Sequence, residues 1–155
     1  MQKYQLFIGI DISKEWIDVC LSSNGKKSEM PHLRISNEPS GFKKMLTFIN
    51  AYVNKQDING SWLFCMEHTG VYVLPLCSFL EERSLDYVLQ SALAIATSLG
   101  LRRGKSDVAD AANITRYAFL YRDELCPSRL PSQKLLTIKR LLEVWQLNVQ
   151  NAPEF

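Results

Sequence analysis

Asp11 stands near the end of one apolar run, Leu6-Phe7-Ile8-Gly9-Ile10-Asp11-Ile12, and Glu67 directly follows another, Trp62-Leu63-Phe64-Cys65-Met66. Asp107 and Asp110 lie three residues apart, just after the basic stretch Leu101-Arg102-Arg103-Gly104-Lys105. Short apolar runs bounded by polar residues read as strands buried on both faces. A carboxylate emerging from such a strand needs a cation, a metal or hydrogen-bond donors, because an unpaired buried charge is costly. Residues three apart on a helix point the same way, so Asp107 and Asp110 can act together. Oxygen ligands drawn from several elements suit a hard divalent cation such as Mg²⁺, which keeps several of its waters. Two such ions about 4 Å apart can activate an attacking oxygen and stabilise a leaving one in phosphoryl transfer. The candidate site is therefore Asp11, Glu67, Asp107 and Asp110, with Arg102, Arg103 and Lys105 as candidate phosphate-binding residues beside it.

Each member also has a plain structural explanation. Asp11 can cap the turn that follows it, and Glu67 can pair with a lysine at a sheet edge. Asp107 and Asp110 fall in a helix first turn, where acids complement the dipole; taken singly, that explanation is the stronger one. The basic stretch can be a solvated loop. What favours a common site is the joint pattern of two core-strand ends and an i, i+3 pair after a basic loop. Glu15 and Asp18 are explained by exposed strand positions, and His68 can face either the site or solvent. Ser13 and Ser106 have no histidine base in evident range and read as turn and cap residues. Gly9 shares a strand face with Asp11, where the missing side chain lets another element approach the backbone.

The elements that must position these residues follow from periodicity. Ile17, Val19 and Leu21 alternate with more polar residues as in a strand, and a third strand fits His32-Leu33-Arg34-Ile35-Ser36. Asn24-Gly25 between them is a hairpin signal, so the opening reads as a three-stranded antiparallel meander. Phe42, Met45, Leu46, Ile49 and Val53 share one face of a helix that begins around Pro39, with Lys43 and Lys44 facing water. After the Glu67 strand a helix is expected over Val71 to Arg83, with Pro75 in its first turn, and then a strand over Leu85 to Leu89. Ala92 to Leu99 reads as a helix stopped by Gly100. The helix beginning at Asp107 carries Ile114, Ala118 and Tyr121 on its core face. Cys126-Pro127-Ser128-Arg129-Leu130-Pro131 breaks the pattern. A last helix carries Leu135, Ile138, Leu142, Trp145 and Val149 at heptad spacing, which in a chain of this size reads as core before oligomer seam. Strand–helix alternation after a meander predicts a mixed sheet with helices packed on it.

Composition sets the bounds. With 155 residues, 46% apolar and 22% charged, the chain suits one soluble domain with a full core. A net charge of +2 does not by itself announce a nucleic-acid binder. Of the four cysteines, Cys20, Cys65, Cys77 and Cys126, three sit in apolar runs and none forms a C-x-x-C pair. Buried free thiols in a reducing cytoplasm are the expectation. No secretory signal and no membrane-length apolar stretch is evident.

Three blocks carry a resemblance: Ile8-Gly9-Ile10-Asp11-Ile12-Ser13-Lys14, Met66-Glu67-His68-Thr69-Gly70-Val71-Tyr72 and Gly104-Lys105-Ser106-Asp107-Val108-Ala109-Asp110-Ala111. In this order they resemble the acidic blocks of the DEDD transposases named for insertion sequence 110, whose relatives include the Piv-type DNA invertases. His68 stands where that family often has a small residue, and Ser106 where threonine is common. The resemblance implies an α/β fold of the RuvC-like, ribonuclease H-like kind, with Asp11, Glu67, Asp107 and Asp110 as an acidic tetrad for Mg²⁺, or Mn²⁺ as a substitute. It implies DNA strand cleavage and transfer, with a structured guide RNA and a homo-oligomer in the full-length protein, in the cytoplasm and away from membranes. It further implies a catalytic domain over residues 1–127 and the start of a helical linker over 128–155, with the family's serine-containing C-terminal domain absent. Other classes stay open, among them a free-standing junction resolvase that keeps the metal site but would cleave without another domain. The Gly9-Ile10-Asp11-Ile12-Ser13 opening also resembles the phosphate loop of actin-like phosphotransferases, although a second phosphate loop and a glycine-rich adenosine pocket are missing. A non-catalytic module docking RNA or a partner would use the basic loop and the heptad helix instead.

Overall fold

The first strand is apolar toward both sides, so it belongs in the middle of a sheet. In the computed structural model, which describes residues 2–68, 70–100, 107–130 and 132–151 (backbone alone for 107–109 and 132–136), that is where it lies. β1 (Tyr4–Ile12) is flanked by β2 (Trp16–Ser22) on one side and β4 (Ser61–Glu67) on the other. With β3 (His32–Ser36) and β5 (Asp86–Gln90) they form one five-stranded sheet of order β3-β2-β1-β4-β5. The β1–β2 and β2–β3 pairs are antiparallel, the expected meander, and β1–β4 and β4–β5 are parallel.

Side-chain alternation divides the sheet into two faces. Leu6, Ile8, Ile10, Ile17, Val19, Phe64 and Met66 point to one face. They are covered by α1 (Pro39–Gln56) through Phe42, Met45 and Ile49, and by α2 (Leu74–Glu82) through Leu76, Cys77 and Leu80. Pro39 pre-sets the first turn of α1, and Asp57 ends it in the left-handed region at φ 52°. Phe7, Leu63, Cys65 and Val88 point to the other face, under α3 (Ala92–Leu99) and α4 (Asp107–Leu120), which contribute Ile95, Ile114 and Ala118. Gly100 stops α3 at φ 62°, as its position in the sequence predicts. Beyond α4 the chain returns along β5: Ser128 N–H donates to the Tyr87 carbonyl at 2.7 Å, and Leu89 N–H donates to Ser128 Oγ at 3.1 Å. α5 (Ser132–Gln150) follows.

Several expectations change in detail. β2 and β3 are not joined by a two-residue hairpin; a 3₁₀ turn over Lys27–Glu29 lies between them. Asn24-Gly25 does turn the chain, with Gly25 at φ 76° and both their N–H groups donating to Ser22 Oγ. The helix expected from Val71 starts as a 3₁₀ turn, Gly70–Val73, and becomes α-helical at Leu74 with Pro75 in its first turn. The last helix packs only in part: of its heptad stripe, Ile138 and Leu142 are partly buried, Trp145 and Val149 are exposed, and the Leu135 side chain lies outside the described residues. Cys20, Cys65 and Cys77 are buried free thiols, and Cys126 is exposed. Among the described residues, no helix is long and apolar enough to cross a membrane.

α4 packs directly against the backbone at Gly9. A Cβ at that position would collide with Thr115 Oγ1, the Thr115 backbone nitrogen and the Ala111 carbonyl. Gly9 N–H donates to Thr115 Oγ1 at 3.0 Å, a buried bond that ties helix to strand. Gly9→Ala should destabilise the protein by about 3 kcal/mol, since two of the obstructing atoms are backbone and cannot rotate away. A urea-unfolding midpoint within error of wild type would contradict this packing.

Candidate metal and nucleic-acid site

Register places the two strand-end acids side by side. β1 and β4 run parallel with Ile10 opposite Met66, so Asp11 and Glu67, the next residues, stand level on neighbouring strands. Both point to the α4 face, because Gly9 and Cys65, two residues earlier, are covered by that helix or its cluster. Both are partly buried. α4 begins at Asp107 and brings Asp110, also partly buried, close enough to act on Glu67. Burial first, and then the charge of Asp110, raise the Glu67 carboxyl above its ordinary range. The Asp107 backbone lies in the first turn of α4, and its side chain is outside the described residues, as are Arg102, Arg103, Lys105 and Ser106. Among the described residues, no three His, Cys, Asp or Glu side chains gather as a ready-made metal cage. The structure thus sets Asp11 level with Glu67 and places Asp110 within electrostatic reach of Glu67.

The donor chemistry fits a hard cation. The acids offer carboxylate oxygens from three elements. Cys65 shares their face but is completely buried, and burial pushes its thiol up to about 12, so it offers no thiolate. A divalent ion would relieve the repulsion that raises Glu67.

One residue departs from the expectation. Asp18 is not an exposed strand acid: it is 2% exposed and lies directly across from Asp11 on the same sheet face. Arg34, its partner on β3, donates from Nε to Asp18 Oδ1 at 2.9 Å and from Nη2 to Oδ2 at 2.8 Å. His32 Nε2 sits 2.8 Å from the same Oδ1. Burial acts to raise the Asp18 carboxyl, but the hydrogen bonds from Arg34 and His32 outweigh it and hold the group below its ordinary value. Alternating polarity in β2 carries no sign of this pair, which depends on the β2–β3 register that sets Asp18 opposite Arg34. Glu15 is exposed as expected, and Ser13 is a turn residue, bonded through Oγ to the Trp16 backbone at 2.9 and 3.2 Å. His68 faces solvent while its N–H donates to the Gln90 carbonyl at 2.9 Å. Gln90, level with Glu67 on β5, is fixed by a 2.9 Å bond from its Nε2 to Tyr117 Oη on α4.

An antiparallel meander continued by two parallel strands, helices on both faces and acids at the central strand ends define a ribonuclease H-like α/β domain. The fold is similar to that of T. thermophilus RuvC in complex with a Holliday junction substrate, with a TM-score of 0.50 at 12% identity, covering 82% of this chain and 100% of that one. A second Thermus thermophilus RuvC structure matches with a TM-score of 0.43 at 14% identity, over 76% of this chain and 95% of that one. A comparison with curated proteins returns no match. The sequence profile described as transposase, of the DEDD type named for insertion sequence 110, matches residues 8–151, and the chain belongs to that family.

The Glu67 shift has a testable consequence. A carboxyl whose folded value lies above its unfolded one favours the fold fully at low pH and loses that contribution as pH rises through the folded value. In the metal-free protein, Glu67→Gln should therefore melt higher than wild type at neutral pH, and the two should converge near pH 4. Thermal unfolding in a chelator across this range checks it; a variant less stable than wild type at neutral pH would contradict the assigned environment.

Proposed function

We propose that the chain is a metal-dependent phosphoryl-transfer domain acting in DNA strand cleavage and transfer. The observation that carries the reading is the level placement of Asp11 and Glu67 on adjacent parallel strands, with Asp110 close enough to perturb Glu67. Asp11, Glu67, Asp107 and Asp110 would hold one or two Mg²⁺, with Mn²⁺ able to substitute. When bound, such ions supply activation of an attacking oxygen and charge stabilisation at a phosphate. The protein's own part is to fix the carboxylates on rigid elements: two central strands and a helix docked onto Gly9. Arg102, Arg103 and Lys105 would follow the nucleic-acid backbone, where cationic side chains add affinity without reading sequence.

Family membership supports extending this reading to the whole protein. Residues 1–127 are then the catalytic domain and 128–155 the start of a helical linker. A guide RNA and assembly with further copies belong to the full-length, cytoplasmic protein.

Calorimetric titration with Mg²⁺ or Mn²⁺ tests the site. Wild type should bind, and an Asp11→Ala, Asp110→Ala double variant should lose binding by at least tenfold while keeping its circular dichroism spectrum. Undiminished binding in the folded variant would refute the tetrad. Absence of binding in wild type would favour the docking-module reading.

A further inference from the structure

Five residues in neighbouring strands share one level on the α4 face of the sheet: Arg34, Asp18, Asp11, Glu67 and Gln90. Within this row two acids, Asp18 and Asp11, stand directly opposite each other, an arrangement that destabilises a sheet. A breach of local pairing rules of this kind is expected at functional sites. Asp18 is itself buried, where a carboxylate is tolerated only with full partners. Its partner Arg34 is held at two points, so the guanidinium plane is fixed, yet 46% of the arginine side chain is exposed. His32 completes the carboxylate from a second side. If neutralising Asp18 were the whole purpose, an apolar residue at that position would do as well.

We infer that Asp18 serves to aim Arg34, and that Arg34 is a positioning residue for a phosphodiester of the nucleic-acid strand engaged at the acidic site. The inference rests on the reading above and names a second contact for the same substrate. Strands lie about 4.8 Å apart, so the Arg34 Cα stands roughly 10 Å from the Asp11 strand. The Arg34 guanidinium, bonded to Asp18, reaches to within one strand of Asp11. A planar guanidinium held in place presents its donors to a phosphate in a pre-organised way that a lysine would not. The contact sets the register of the strand over the carboxylates and carries no sequence information.

The test is fluorescence anisotropy of the chain with a short labelled DNA duplex across a salt series, with Ca²⁺ in place of Mg²⁺. Arg34→Gln should weaken binding about tenfold and reduce the slope of log K against log salt by about one. Arg34→Lys should keep the slope and still bind more weakly. Because Arg34→Gln leaves Asp18 buried without its main partner, the Asp18→Asn, Arg34→Gln double variant serves as the folded control, and it should show the same reduced slope. A folded double variant with the wild-type slope and affinity would overturn the inference while leaving the acidic site untouched. Wild type that binds no DNA at low salt, yet binds metal, would overturn the role of Arg34 together with the DNA reading, leaving only the metal site.

Discussion

The close packing of α4 against the backbone of Gly9 is the constraint on which the rest depends. Without a side chain there, the helix can lie low enough for Thr115 Oγ1 to take the Gly9 N–H and to sit 3.2 Å from the Cys20 carbonyl on β2. Its first turns then overhang the ends of β1 and β4, which are the ends that carry Asp11 and Glu67. A helix held further away by one methyl group would still cover the apolar part of the sheet. The helix seated at Gly9 also carries Asp110, which lies within electrostatic reach of Glu67. The glycine and the acids thus meet the same helix.

Electrostatics along the sheet row follow from that placement. Acids crowded at one level must be relieved singly, and the structure does so differently on each side. Asp18 is relieved by Arg34 and His32 and is held below its ordinary value. Glu67 is not relieved in this way; burial and Asp110 both raise it. A cation between carboxylates would relieve the part of this shift that comes from Asp110. Two acids two strands apart on one level of the sheet thus sit in opposite electrostatic surroundings.

Much of this was legible in the sequence, for reasons that differ by element. The uninterrupted apolar runs before Asp11 and Glu67 identified central strands because period and burial agreed there. Gly9 announced a close approach, and the i, i+3 spacing of Asp107 and Asp110 announced a shared helix turn. Asp18 was misread because strand alternation cannot distinguish a solvent-facing acid from one paired across two strands; that depends on register. Asn24-Gly25 signalled a turn but not its length, since Ser22 and the 3₁₀ segment extend the connection. The heptad spacing of α5 described an apolar stripe, of which Ile138 and Leu142 are partly buried and Trp145 and Val149 exposed, because burial is set by which faces of the fold remain open.

α5 shows why that last point matters for the site. It lies outside the α1–α2 layer, with Ile138 and Leu142 partly buried and Leu141, Val144 and Leu147 facing outward. Three contacts among the described residues bear on its seating. Lys139 reaches Glu82 of α2 at 3.3 Å, the Trp145 ring meets Tyr72 at 6.5 Å, and Lys14 lies 5.3 Å from the same ring. Lys14 belongs to the connection that leaves the Asp11 strand, and Tyr72 to the one that leaves the Glu67 strand. Asn37 joins the same two connections, donating from Nδ2 to the Ser13 and Tyr72 carbonyls at 3.0 Å each. A single indole ring therefore lies beside one residue from each chain segment that leaves the acid-bearing strands. Exposed pairs of this kind contribute little to stability, so what they order is local, the side of α5 that faces these two connections.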